Sequence, residues 1–183
     1  MFFTLFEGRN RMKRIIFLIM ALAAISICVS AEETRKGWEN MRVSSPVFAH
    51  NQRIPKKYTC DGEDVNPALE IQDIPANTRS ITLIVDDPDA PMGTWVHWVV
   101  YDIAVSARID ENSIPGKQGS NDFGRLAYGG PCPPSGTHRY FFKLYALDKK
   151  LGLSEGINKQ GVEKAMQGHI LAKAELIGLY KRK

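Results

Sequence analysis

A chain of 183 residues, 44% hydrophobic and 24% charged, can bury a sizeable core and suits one globular domain. Three of its four net positive charges belong to the first 31 residues, where Arg9, Arg11, Lys13 and Arg14 face the single acid Glu7; without them the net charge is +1. That balance excludes a basic footprint for nucleic acid.

Residues 12–31 (MKRIIFLIMALAAISICVSA) read as a secretory signal peptide. Lys13 and Arg14 give it a basic start, Ile15–Val29 is apolar apart from Ser26, and Val29-Ser30-Ala31 fits a small-residue cleavage site. The apolar run is too short for a comfortable membrane span. The expected organisation is a leader over residues 1–31 with Met12 as the true start, a polar tail at 32–37 and a single domain at 38–183. The expected location is periplasmic or secreted. Ile27 is too large to precede a lipid-carrying Cys28. Cleavage after Ala31 leaves Cys60 and Cys132, and two cysteines in an oxidising compartment suggest one disulfide. The alternative is a pair of free buried thiols.

Strand-like runs dominate the rest. Met41–Ala49 leads in. Along 79–87, Ile81, Leu83, Val85 and Asp87 share a face. Along 95–103, alternation predicts Trp95, His97, Val99, Tyr101 and Ile103 on one side. Residues 105–136 are rich in turn formers and read as a long loop region, a length that is usually functional. Along 137–147, His138, Tyr140, Phe142, Leu144 and Ala146 share a face, with Arg139 and Lys143 opposite. β-Branched and aromatic residues support strands in all three runs. Val162, Ala165, Met166, His169 and Ile170 follow helical spacing after a candidate N-cap, Asn158. Beyond Gly168 the alternation of Ala172, Ala174 and Leu176 with Lys173 and Glu175 predicts a closing strand.

Parity places Asp87, His97 and His138 on core faces, where an ionisable group is expensive unless it is paired or opens to a pocket. Gathering them at one end of the core resolves all three. The rigid loops DPDAP (87–91) and GGPCPPSGTHRY (129–140) adjoin these strand ends. Protonated His97 and His138, with Tyr140 as a further donor, would suit an oxyanion, and Asp87 would orient a histidine and raise its pKa. Gly129 and Gly130 let backbone approach a ligand. Phosphate monoesters or phospholipid head groups fit such a site. The plainer readings are satisfied core histidines, a turn-capping Asp89, Trp95 and Trp98 as core, and Pro91 as a rigid or cis turn.

Catalytic readings are weaker. A zinc site on His97, His138 and a carboxylate lacks a short-spaced histidine pair. A Cys132–His138 nucleophile and base would be consumed by a disulfide. Ser135 lacks the strand–turn–helix setting of a nucleophile elbow. No cofactor is called for, and the expected function is non-enzymatic binding.

At these residues the chain resembles the phosphatidylethanolamine-binding protein family, and is similar to its bacterial and archaeal, Raf-kinase-inhibitor-like branch. The resemblance spans about 41–180. It rests on Asp87-Pro88-Asp89-Ala90-Pro91, on Trp95-Val96-His97, on Gly130 to Pro134 followed by Ser135 to Tyr140, and on Tyr58 to Asp64 with Pro67. It implies a mainly β fold, a central antiparallel sheet packed on a smaller one with a few peripheral helices. It also implies an anion pocket formed by Asp87, Trp95, His97, Gly130, Pro133, His138 and Tyr140, with Asp89 and Pro91 shaping one wall. The implied partners are a small anionic or phosphorylated ligand and, as in inhibitory members, a protease or kinase-type target met through loops 105–136. A weak hydrolase is a further alternative. Val96 stands where eukaryotic members commonly have a second histidine, and Cys132 where they commonly have glycine. The C-terminal helix of animal members is not evident.

Overall fold

The three runs richest in β-branched and aromatic residues form the three long central strands. The computed structural model describes residues 41–182; the expected signal peptide and polar tail lie outside the described residues. In chain order the elements are β1 (Arg42–Ser44), β2 (Gln52–Arg53), a 3-10 turn (Lys56–Tyr58), β3 (Leu69–Gln72), β4 (Ser80–Asp87) and β5 (Trp95–Ile103). They continue as β6 (Arg108–Ile109), β7 (Lys117–Gln118), β8 (His138–Leu147), α1 (Lys159–Met166) and β9 (Ile170–Tyr180). A six-stranded sheet has the order β2-β9-β8-β4-β5-β7, and a three-stranded sheet the order β1-β3-β6. Pairing is antiparallel except for β2, which adds to β9 in parallel at one edge.

The main core lies between the sheets. Ile81, Leu83 and Val85 of β4 meet Trp98 and Val100 of β5, Tyr140, Phe142 and Leu144 of β8, and Leu69 and Ile71 of β3. The other face of the large sheet is also covered. Ile84, Val96, Val99, Tyr101 and Leu147 pack there against Val162 and Met166 of α1. This second layer explains why every residue of β4 is buried, polar ones included.

The expected face of β8 is observed, with His138, Tyr140, Phe142, Leu144 and Ala146 all buried. The expected face of β5 needs correction. Val85 pairs with Trp98 but Asp86 pairs with Val96, so His97 sits at a β-bulge. A second irregularity falls between Ile81–Ile103 and Leu83–Val100, at Asp102. Asp102 takes a left-handed φ of 55°, and its carboxylate accepts from the Leu151 and Gly152 amides at 2.6 and 3.0 Å. Between the bulges the parity inverts. Trp98 and Val100 face the main core, while Val99 and Tyr101 face α1. A bulge re-aims a side chain in this way because two residues oppose one.

The predicted helix forms but stops at Met166, with Gln167 as C-cap. His169 and Ile170 therefore lie outside it, Ile170 opening β9. The Asn158 side chain accepts from the Gly161 amide at 3.0 Å, the expected N-cap. Asn158→Ala is expected to cost about 1 kcal/mol, the usual value for a lost N-cap, read as a lower urea midpoint. The 105–136 region is loop except for the two-residue strands β6 and β7. In β9, a Cβ on Gly178 would lie 2.5 Å from Ile54 and 2.9 Å from Phe48, so glycine lets the β2 segment close over the sheet edge.

Candidate functional site

β4, β5 and β8 end together, and the main core opens there into a cavity of about 310 Å³. Small-molecule sites start at about this size. Asp87 enters from the end of β4, Trp95 and His97 from the start of β5, and His138 and Tyr140 from the start of β8. Pro91 and Met92 form one rim, and Cys132, Pro133 and Pro134 the other.

Asp87 anchors the floor. Its Oδ2 accepts from His138 Nδ1 at 2.7 Å and its Oδ1 from the Asp89 amide at 2.8 Å. Both side chains of the pair are almost fully buried. His97 Nδ1 lies 2.6 Å from the Gly129 carbonyl oxygen. A carbonyl only accepts, so that nitrogen carries the hydrogen. The His97 ring meets Tyr140 edge-on, with centroids 5.1 Å apart.

Burial holds the His97 pKa below its ordinary value, against smaller opposing effects of the Gly129 carbonyl and the Asp87 charge. Burial therefore favours the neutral form of the His97 ring in the unliganded cavity. The Tyr140 phenol is pushed well upward by burial and then by the Asp87 carboxylate, so it stays a phenol. Its oxygen is buried and has no hydrogen-bond partner among the described residues. The Cys132 amide and Asp87 lie near enough to influence it without bonding it in good geometry.

The structure thus brings Asp87, Pro91, Trp95, His97, Pro133, His138 and Tyr140 to one cavity. Gly130 and Asp89 are not in its lining. The Gly130 amide donates to Asp64 Oδ1 at 2.6 Å, and a Cβ there would come within 2.6 Å of the Tyr58 carbonyl. Glycine is required for this close loop-to-loop approach. Asp89 accepts from the Arg139 amide, Nε and Nη2 at 2.9, 2.9 and 2.6 Å. The hydrogen bonds from Arg139 draw the Asp89 pKa down to about 2. This pair fastens the DPDAP turn to β8. Among the described residues no peptide bond is cis, so Pro91 is a trans turn residue.

Two lining residues escaped sequence reasoning. Phe123 packs edge-on against both Trp95 and His97, at 5.5 and 5.2 Å. Asn121 holds it there, accepting from the Phe123 and Arg125 amides and donating to the His97 and Ala127 carbonyls. The tight NDFG turn was the available signal. Met92 is 95% exposed at the rim.

Cys60 and Cys132 form a disulfide, with Cα atoms 5.4 Å apart. Cys132 therefore has no thiol to serve as nucleophile. Ser135 is exposed in a bend. Among the described residues no group of three or more His, Cys, Asp or Glu is placed to hold a metal ion, and no helix is long and apolar enough to cross a membrane.

A two-sheet β protein with a histidine-lined, aromatic-walled cavity at its strand ends is the class this geometry defines. The phosphatidylethanolamine-binding protein family matches residues 44–181, and the chain belongs to that family. It is 45% identical to a UPF0098 protein of Pyrococcus horikoshii, over 94% of this chain and 91% of the relative. It is 50% identical to a UPF0098 protein of Aquifex aeolicus, over 86% and 98%. Among solved structures it is similar to a phosphatidylethanolamine-binding protein homologue of Chlamydia trachomatis, with 42% identity, a TM-score of 0.76, and coverage of 78% of this chain and 98% of that one. The E. coli protein YbcL, described as a member of the mammalian family, has 27% identity and a TM-score of 0.72, covering 78% and 99%. Membership supports a ligand-binding protein.

Proposed function

We propose that this protein is an exported, non-enzymatic binding protein that holds a small phosphorylated or otherwise anionic ligand in the cavity at the ends of β4, β5 and β8. The observation that carries this reading is the Tyr140 hydroxyl. It is fully buried, unpartnered and beside the Asp87–His138 pair, in a cavity otherwise walled by Trp95, Phe123, Pro91 and Pro133. A buried polar atom left without a partner awaits one. Export is supported by the leader-like residues 12–31 and by the disulfide, which persists in oxidising compartments.

His97→Ala and His138→Ala are each expected to abolish binding of methyl phosphate while the fold, read by circular dichroism, persists. Isothermal titration calorimetry at millimolar ligand reaches the weak-binding range. Affinity unchanged in both variants would remove the cavity as the site.

A second reading is a loop-mediated inhibitor. Of the large hydrophobic side chains exposed among the described residues, Val105, Ile114, Phe123 and Leu126 all lie in 105–136. Inhibition of a protease that survives both histidine variants would favour it.

A further inference from the structure

The β2 edge of the large sheet carries a cluster of charge that the strand-end cavity does not use. β2 is two residues long and pairs in parallel with the end of β9, Gln52 with Gly178 and Arg53 with Leu179. The Ile54 amide extends the pairing by donating to the Leu179 carbonyl at 2.8 Å. This short parallel strand delivers Arg53 to the last residues of β9. Its guanidinium lies over the Tyr180 ring, 5.5 Å from the centroid, and its Nη2 donates to the Lys181 carbonyl at 3.4 Å.

Arg182 follows directly in the chain. Its Nε donates to Asp61 Oδ1 at 3.1 Å, and the Tyr180 hydroxyl donates to Asp61 Oδ2 at 2.9 Å. Arg53, Lys56, Asp61, Tyr180 and Arg182 line a cavity of about 510 Å³, larger than the one at the strand ends. Three cations thus share it with one carboxylate, and that carboxylate is already matched by Arg182 and the phenol. Arg53 and Lys56 have no carboxylate partner among the described residues. Each guanidinium spends one hydrogen bond on the protein and keeps the rest of its donor fork. The Tyr180 ring is 3% exposed, so it offers no face on which an aromatic ligand could stack. Unmatched positive charge, free N–H donors and a volume suited to a small molecule all ask for a small anion.

We propose that this cavity is a second anion site, which takes a small oxyanion of two or more negative charges, of the phosphate-monoester or pyrophosphate kind. Arg53 and Arg182 donate to ligand oxygens through their remaining N–H groups, and Lys56 adds a point charge. The site works by charge, whereas the strand-end cavity has no Lys or Arg in its lining. Its affinity therefore falls as salt rises. It stands whatever occupies the strand-end cavity.

The test is NMR titration of the purified protein with pyrophosphate near neutral pH at constant ionic strength, following the Nε–Hε signals of Arg53 and Arg182. Both signals are expected to shift saturably. Affinity should fall about tenfold in Arg53→Gln and in Arg182→Gln, the worth of a charge-assisted hydrogen bond. It should hold in His138→Ala, which disables the strand-end cavity. Both arginines lie on the exposed surface, and Lys56→Gln, which should also weaken binding, provides a variant away from the β2–β9 pairing. Unchanged affinity in all three variants overturns the proposal, as does loss of binding in His138→Ala, which would place pyrophosphate at the strand ends. Equal shifts with acetate at the same concentration also overturn it, since they mark a diffuse ion atmosphere. Tighter binding of hexaglutamate than of pyrophosphate would replace the small oxyanion by an acidic polypeptide.

Discussion

Replacing Cys60 and Cys132 together by serine is expected to lower the unfolding free energy by about 4 kcal/mol, the chain-entropy value for a closed segment of this length. The bridge spans 72 positions and encloses β3 to β7. The loss should appear as a lower urea midpoint for the double variant relative to the oxidised protein. Native geometry should change far less. The Cys60 amide still reaches the Pro131 carbonyl at 3.2 Å, Gly130 still donates to Asp64, and the Tyr128 hydroxyl still meets the Tyr58 carbonyl at 3.0 Å. These bonds hold the two loops together without the sulfurs, so methyl phosphate affinity in the folded variant should stay close to wild type. A midpoint that does not move would mean that the unfolded chain is already compact around this segment.

The second large effect concerns Asp86, which is fully buried on the α1 side of the sheet. Lys143 of β8 reaches its Oδ1 at 2.8 Å, and Lys159, the first residue of α1, reaches its Oδ2 at 2.6 Å. Converting both lysines to methionine keeps most of their apolar stems and strands the carboxylate. The expected cost is about 3–5 kcal/mol, that of a buried charge deprived of its partners. Adding Asp86→Leu to the pair should recover much of this loss, because an apolar replacement removes the desolvated charge. Urea unfolding of the double and triple variants checks both statements. A double variant as stable as wild type would show that water reaches Asp86 and that the lysines act only through their stems.

Asp86 and Asp87 show where sequence reasoning reached and where it stopped. Alternation along β4 separates the two acids onto opposite faces, and Asp87 was assigned to the cavity on that ground. Nothing local marks Asp86 as buried, because its burial depends on α1, and its partners lie 57 and 73 positions away. Strand β8 was legible throughout because its ladder with β4 is regular from Ser80–Leu147 to Asp86–Phe141. Strand β5 was legible only at its ends. Its two irregularities leave no trace in hydrophobic pattern, since Trp98, Val99, Val100 and Tyr101 are apolar on either face. Phe123 was missed for a related reason. Its place against His97 is set by Asn121 hydrogen bonds across a turn, which no periodicity reports.

His97 occupies a position the sheet does not need. The ladder passes from Val85–Trp98 directly to Asp86–Val96, leaving the histidine as a surplus link in the strand. The pairs on both sides, Val85–Trp98 and Asp86–Val96, are made without it. Substitution at this one link changes the cavity wall without removing a rung of the ladder. A scaffold of this kind separates the evolution of ligand choice from the preservation of the fold.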